Sequence, residues 1–412
     1  MRQVLTLGLV LAALCASPAA TSADLVITGA RVYPAPGAAP IDNAAVLVRD
    51  DRIVSVGPAA AIDAGADATV IDAEGGTVLA GFWNSHVHFT EPKWARASTL
   101  PAPRLESQLR DMLVRYGFTT VVDTGSDPRD TLPMRARIES GEIAGPRIIT
   151  AMSPLFPPNG LPYYIRDLPP ELLSRLSQPT SPEAAAETVR ANLAGGGDVV
   201  KLFTGAWVER GHPAKPMPVG IAKAAVAEAH RQDVLVFTHP SDVAGLEVAL
   251  ASGVDVLAHS VEDLDGFDRS HLQRMREQDM ALVPTLKLFS VNSQPTLDAI
   301  LKEVGDYQQL GGSIWFGTDV GFIEDYDPAL EFELLQRAGL SFDQILATLT
   351  TSPAGRLPGG DGRGRVEAGM IADLVVLDGD PARDPRAWTR LRYVFRDGRN
   401  LYDAALEDHA AQ

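Results

Sequence analysis

Between residues 77 and 318 the chain carries eight short strand-like apolar runs, with stretches of helical spacing between them. The runs are Thr77–His86, Thr119–Asp123, Arg147–Ala151, Asp198–Phe203, Val234–His239, Val254–His259, Ala281–Thr285 and Ile314–Thr318. Helical patterns include Leu105–Tyr116, Pro182–Leu193, Ile221–Arg231, Val243–Ala251, His271–Gln278, Leu297–Leu310 and Leu330–Ala338. Eight strands, each followed by a helix within about 250 residues, is the count of a (β/α)8 TIM barrel, so an α/β fold of that class is expected over residues 81–356. In such a barrel the chemistry gathers at the carboxyl ends of the strands.

Polar residues recur at those ends. Gly81 to Phe89 reads G-F-W-N-S-H-V-H-F and closes an apolar run on His86 and His88. In an extended strand that spacing puts both imidazoles on one face, where a single metal ion can take both. Alone, H-x-H is as readily a chance pair or a hydrogen-bonded core histidine. Partners strengthen it: Lys201 follows D-V-V, His239 follows V-L-V-F-T, His259 follows V-D-V-L-A and Asp319 follows I-W-F-G-T. Core packing favours apolar side chains at such places and does not explain a titratable group each time. Imidazole and carboxylate donors suit Zn²⁺, with Mn²⁺ or Co²⁺ as substitutes. Lys201 is the odd member, because an ammonium repels cations; pairing with a carboxylate is the alternative. Asp319, in the turn-like G-T-D-V-G, could equally cap a helix.

Both ends of the chain read differently. Residues 24–80 are short alternating or apolar runs cut by Gly, Asp and Pro, without a helix of any length, and residues 357–412 look similar. The two are expected to complete one small composite β-sandwich, since short sheets bury too little alone.

A formal net charge of −17 over 412 residues argues against nucleic acid or an anionic membrane as partner. Residues 1–23 have the shape of a cleavable signal peptide: Arg2, an apolar core shorter than a membrane span, then small residues before Asp24. The single cysteine, Cys15, lies inside it, so the mature chain is expected without thiol or disulfide, as suits a periplasmic or secreted protein. Lipid attachment at Cys15 is disfavoured by the bulk of Leu14 before it.

H-x-H at strand one, Lys at strand four, His at strands five and six and Asp at strand eight together resemble the metal-dependent amidohydrolase superfamily. Ala368 to Leu377, A-G-M-I-A-D-L-V-V-L, is similar to the sequence with which many members re-enter their β-sandwich, and Thr350 to Leu357, T-T-S-P-A-G-R-L, to the helix that closes their barrel. The nearest branch is that of imidazolonepropionase and the Xaa-Pro and Xaa-Arg/Lys dipeptidases. The resemblance implies a hydrolase of amide or peptide bonds with two divalent metal ions, most simply Zn. It implies His86, His88 and Asp319 on the more buried metal, His239 and His259 on the second, and a CO2-derived carbamate on Lys201 bridging them with a hydroxide. It also gives Asp319 a catalytic role, as base toward that hydroxide and then acid toward the leaving nitrogen. The chain departs from the pattern at Ala80 and Asn84, where relatives commonly have Pro-Gly and Asp, and Pro240 follows the strand-five histidine.

For substrate the signal thins. Ser153 to Pro182 is a long Pro-rich connection carrying Tyr163 and Tyr164, and such loops often form lids. Trp207, Arg210 and His212 follow strand four; Arg210 is the candidate for a substrate carboxylate, which a guanidinium grips in two places. Loop packing for the tyrosines and a solvated position for Arg210 are equally open. His230 and His271, on helical patterns, read as structural. The leading expectation is a dipeptide or N-acyl amino acid as substrate; a cyclic amide, lactone or ester on the same site is the alternative, and a non-catalytic binding module would require lost ligands, of which none is missing. No stable membrane span is expected. Barrels of this kind often form homo-oligomers, but no exposed apolar stripe marks an interface.

Overall fold

Gly81 divides the first of the eight runs. The computed structural model describes residues 24–410, so the expected signal peptide with Cys15 lies outside the described residues. Thr77–His86, expected as one strand, is two, Thr77–Ala80 and Phe82–Val87, and they belong to different sheets. A Cβ on Gly81 would sit 2.4 Å from Thr119 Oγ1 and 3.0 Å from Asp373 Cβ, so glycine alone lets the chain cross from one sheet to the other.

Thr77–Ala80 lies in an eight-stranded mixed sheet built from both ends of the chain. Leu25–Val32, Ile41–Arg49, Arg52–Pro58 and Thr69–Asp72 come from the front; Leu374–Leu377, Leu391–Arg396 and Arg399–Asp403 come from the back. The join is antiparallel, with Leu374 opposite Ala80 and Val376 opposite Val78. Ile27, Val46, Val78, Leu374 and Val376 bury one apolar face together. Neither end could do so alone, which is why the sheet needs both.

Apart from one short antiparallel pair, Gly205–Ala206 with Lys215–Pro216, the remaining strands are parallel. Phe82–Val87, Phe118–Asp123 and Arg147–Thr150 form a three-stranded sheet; Val200–Phe203, Val236–His239, Val256–Ala258, Ala281–Val283 and Ser313–Ile314 form a five-stranded one. At one edge the Asp198 amide donates to the Thr150 carbonyl at 2.8 Å, and Leu155 bridges Leu202. At the other edge Ser85 N donates to Phe316 O at 2.7 Å and His88 N to Val320 O at 2.8 Å. One apolar cluster takes a side chain from each of the eight runs: Trp83, Val122, Ile149, Val199, Phe237, Val256, Val283 and Trp315. Leu202, Val236, Leu257 and Leu282, at alternate positions, pack instead with helix residues such as Ile221, Leu246 and Leu272.

The expected strand Ile314–Thr318 shortens to Ser313–Ile314, because the chain turns through Gly317 and a left-handed Asp319 before reaching the first run again. Helix Pro128–Glu139 escapes sequence reading: Pro133 lies inside it, near its start, and its buried stripe is only Thr131, Met134 and Ile138, though Asp127 caps it by accepting from Arg129 N. Phe342–Leu349 is a second unexpected helix, opened by a capping box between Ser341 and Gln344. His271 is structural, as its sequence suggests, closing a capping box with Asp268. Among the described residues no helix is long and apolar enough to cross a membrane.

Candidate metal centre

Strand parity turns Lys201 and His239 inward, since Val199 and Phe237 two residues earlier belong to the inner cluster. His259 is different. Ala258 is inward and Leu257 outward, so alternation continued would send His259 toward the helices; a backbone φ of 132° turns it back instead.

His86 and His88 meet Asp319 at close range. His86 Nε2 lies 3.2 Å and His88 Nε2 3.1 Å from Asp319 Oδ1, and the two nitrogens are 3.3 Å apart. Behind them the rings run on in a file: His86 to His259 at 4.4 Å between centroids, His259 to His239 at 4.6 Å. His86, His259 and Asp319 present ligand atoms all within 4.8 Å of one another. The Lys201 ammonium lies 5.7 Å from the Phe203 ring, which itself stacks on His239 at 4.8 Å. All six residues singled out by sequence thus converge on one end of the parallel strands.

Second contacts fix this arrangement. His88 Nδ1 is 2.8 Å from the Gly125 carbonyl, which leaves Nε2 facing Asp319. Gly125 is held in turn by buried Asp123, whose carboxylate accepts from Gly125 N at 3.2 Å, Ser126 Oγ at 2.5 Å and Thr150 Oγ1 at 2.8 Å. Asn84 accepts from His86 N and Thr318 N, both at 3.2 Å, and donates to Thr318 Oγ1 at 2.7 Å, so it ties the first run to the turn that carries Asp319. Gly321 must be glycine, because a Cβ there would lie 1.8 Å from the His88 carbonyl. Sequence reasoning missed Asp123 and treated Asn84 only as a departure; the signal for Asp123 was its place at a strand end ahead of T-G-S.

The electrostatics suit cation binding. Burial first, then Lys201, press His86 down to about 3, and burial with neighbouring basic groups holds His239 and His259 well below the usual imidazole range. Burial opposes charge on His88 too, but Asp319 outweighs it and raises that ring's basicity. Burial alone would raise Asp319; His86, His88 and His259 outweigh it and keep the carboxyl well below its usual range. Burial draws the Lys201 amine down to about 7, against the pull of Asp319. Two imidazole nitrogens, the His86 ring held neutral, crowding one ionised carboxylate oxygen are an expensive arrangement for protein groups alone and a natural one around a divalent cation, so the residues fit the metal.

Of the substrate candidates, Tyr164 comes nearest. Its ring packs on Phe322 at 5.4 Å, just beyond Asp319, and burial pushes its hydroxyl up, with the Asp319 and Glu262 carboxylates adding to the shift. Trp207 donates from Nε1 to Glu262 at 3.1 Å, and its carbonyl accepts from Tyr163 N at 2.8 Å. Arg210 is exposed, its guanidinium 5.4 Å above the Tyr163 ring. His212 is exposed beside Glu209, and His230 pairs with Asp255 at 2.9 Å.

Residues 77–401 match the amidohydrolase family. The chain belongs to the amidohydrolase family. It is a hydrolase acting on carbon–nitrogen bonds. An imidazolonepropionase of Symbiobacterium thermophilum is 25% identical over 396 residues, covering 82% of this amidohydrolase and 85% of the relative. Two solved structures share the fold: a Xaa-Pro dipeptidase with bound methionine (20% identity, TM-score 0.77, 92% of this chain and 100% of that one) and a prolidase complexed with N-methylphosphonate-L-proline (22%, 0.74, 92% and 99%).

Proposed function

We propose that this amidohydrolase hydrolyses the amide bond of a dipeptide or N-acyl amino acid at a binuclear metal centre. The observation that carries the reading is the approach of His86 and His88 Nε2 to a single Asp319 oxygen, with His259, His239 and Lys201 filed behind. His86, His88 and Asp319 would hold one ion, His239 and His259 the other, and Zn²⁺ suits this donor set best. When bound, the ions supply acidification of a water and polarisation of the scissile carbonyl.

The chain's own groups do the rest. With its amine drawn to about 7, Lys201 is substantially neutral near physiological pH and able to attack CO2. Forming the new N–C bond would release one proton and leave a carbamate, an anionic group that would suit divalent cations where an ammonium would repel them. Asp319, held ionised, accepts a proton from the attacking water and passes it to the leaving nitrogen. Tyr164, whose ring packs on Phe322 and whose hydroxyl feels the Asp319 charge, is the loop side chain placed to meet a substrate.

The same reading includes a closed (β/α)8 barrel over residues 81–356 and a composite β-sandwich of residues 24–80 and 357–412; the inner cluster drawing on all eight runs supports the first, and the sheet shared by both ends the second. A periplasmic or secreted location follows from the leader-like residues 1–23. Cyclic amides, lactones or esters are the competing substrates.

Metal stoichiometry of protein prepared with zinc and bicarbonate tests the centre. About two ions per chain, falling sharply in Lys201→Ala, is expected; one ion in both proteins would overturn the carbamate bridge and turn the substrate search to cyclic amides.

A further inference from the structure

Behind His259 stands a relay of polar contacts that the proposed chemistry does not itself use. His259 Nδ1 is 2.7 Å from Thr285 Oγ1, and that hydroxyl donates its one proton to the Pro284 carbonyl at 2.8 Å. A hydroxyl that has given its proton away can only accept, so Nδ1 carries the hydrogen and Nε2 keeps its lone pair. Thr285 is itself in an unfavourable conformation: it is β-branched and has φ 48°. Something must hold it there.

Glu331 does so from the outer helix Ala329–Arg337. Fully buried, its carboxylate accepts from Leu286 N at 2.9 Å and from Lys287 N at 2.7 Å, the two amides that follow Thr285. Lys287, clamped in place, donates to the Asp325 and Asp327 carbonyls at 2.7 Å each, so the turn is pinned on both sides. A carboxylate buried this deeply is costly unless its hydrogen bonds repay it, and both of its oxygens are spent on one turn.

We propose that Glu331 is a positioning residue that sets the tautomer of His259 through Thr285, and so decides which imidazole nitrogen faces the metal centre. The proposal rests on His259 being a metal ligand only for its consequence; the tautomer itself belongs to the metal-free chain. His259 has a strained backbone of its own, so it depends more on support at the ring than a ligand on a regular strand would.

The test compares wild type with Thr285→Val, Thr285→Ser and Glu331→Gln, using ¹⁵N-histidine-labelled protein stripped of metal and His259→Gln to assign the resonance. Wild type and Thr285→Ser should show His259 protonated on Nδ1; Thr285→Val should lose that state, and Glu331→Gln, which keeps one acceptor oxygen, should show a mixture. Zinc affinity by chelator competition should fall about tenfold or more in Thr285→Val and Glu331→Gln and be restored in Thr285→Ser. An Nε2-protonated His259 in wild type, or a Glu331→Gln protein with unchanged tautomer and zinc affinity, would overturn the proposal. Should wild type bind no zinc while the tautomer pattern holds, the metal-centre reading fails and the positioning role stands.

Discussion

Arg363 Nη1 donates to Asp373 Oδ2 across 2.6 Å, with the two side chains only 6% and 3% exposed. The Asp373 carbonyl also accepts from Gly81 N at 2.8 Å, so this pair sits where the mixed sheet hands over to the parallel strands. Replacing Arg363 with Met leaves the Asp373 carboxylate buried without its strongest partner and should cost about 3–5 kcal/mol, read as a lower urea midpoint. A loss under about 1 kcal/mol would mean that the pair contributes little to stability and that Asp373 does not stay buried as an unpaired charge once Arg363 is gone.

Asp123 should matter to the metal without touching it. Asp123→Asn weakens the turn that aims Gly125 at His88 and should reduce zinc affinity by roughly ten- to a hundredfold while leaving the thermal midpoint within a few degrees. Chelator titration separates this from unfolding, which would lower both together.

Glu303 predicts a pH dependence of stability. It is buried on helix Gln294–Gln309, and burial raises its carboxyl to about 8 despite the Val261 amide and Ser260 beside it. A folded value above the unfolded one favours the protonated carboxyl in the native state. Its stabilising contribution is therefore complete below the unfolded value near 4.5 and drains away as pH rises to about 8, by about 1.4 kcal/mol per pH unit. Urea midpoints of wild type minus Glu303→Gln should fall steadily from pH 5 to pH 8; a flat difference would show that the carboxyl is ionised in the folded protein throughout.

Two loop residues should separate by role. Tyr164→Ala removes a ring close enough to Asp319 to feel its charge and should lower kcat/KM by about tenfold or more on any accepted amide substrate. Arg210→Ala, which removes an exposed guanidinium over Tyr163, should change it by less than about threefold. The reverse ranking would restore Arg210 as the carboxylate anchor.

Much of this was legible in the chain. Lys201, His239, His259 and Asp319 each stand where an apolar run stops, and a parallel sheet gathers such stops at one end, so spacing marked the six candidates that the fold brings together, while their role as a metal site came from the family resemblance. What could not be read depended on backbone departures and distant partners. Gly81 looks like any glycine within an apolar run until Thr119 and Asp373 crowd it. His259 lies on the wrong parity to face inward, and its φ of 132° turns it there. Asp123, Thr285 and Glu331 act on His88 and His259 from far away in sequence, and no local pattern connects Glu331 with His259. Helix Pro128–Glu139 hid because a proline and a narrow apolar stripe mask its period.

The pairing of Thr77–Ala80 with Leu374–Leu377 makes the order of synthesis matter. The front strands emerge first, yet Ala80 finds its neighbour only once Leu374 has been made, and nearly the whole catalytic segment lies between them. During that interval the edge of Thr77–Ala80 stays open to other strands, a hazard for a slow, long-range pairing. Chains stopped before residue 374 should therefore aggregate even though every proposed metal ligand is already present, so the last strands act as the latch that makes the earlier ones safe.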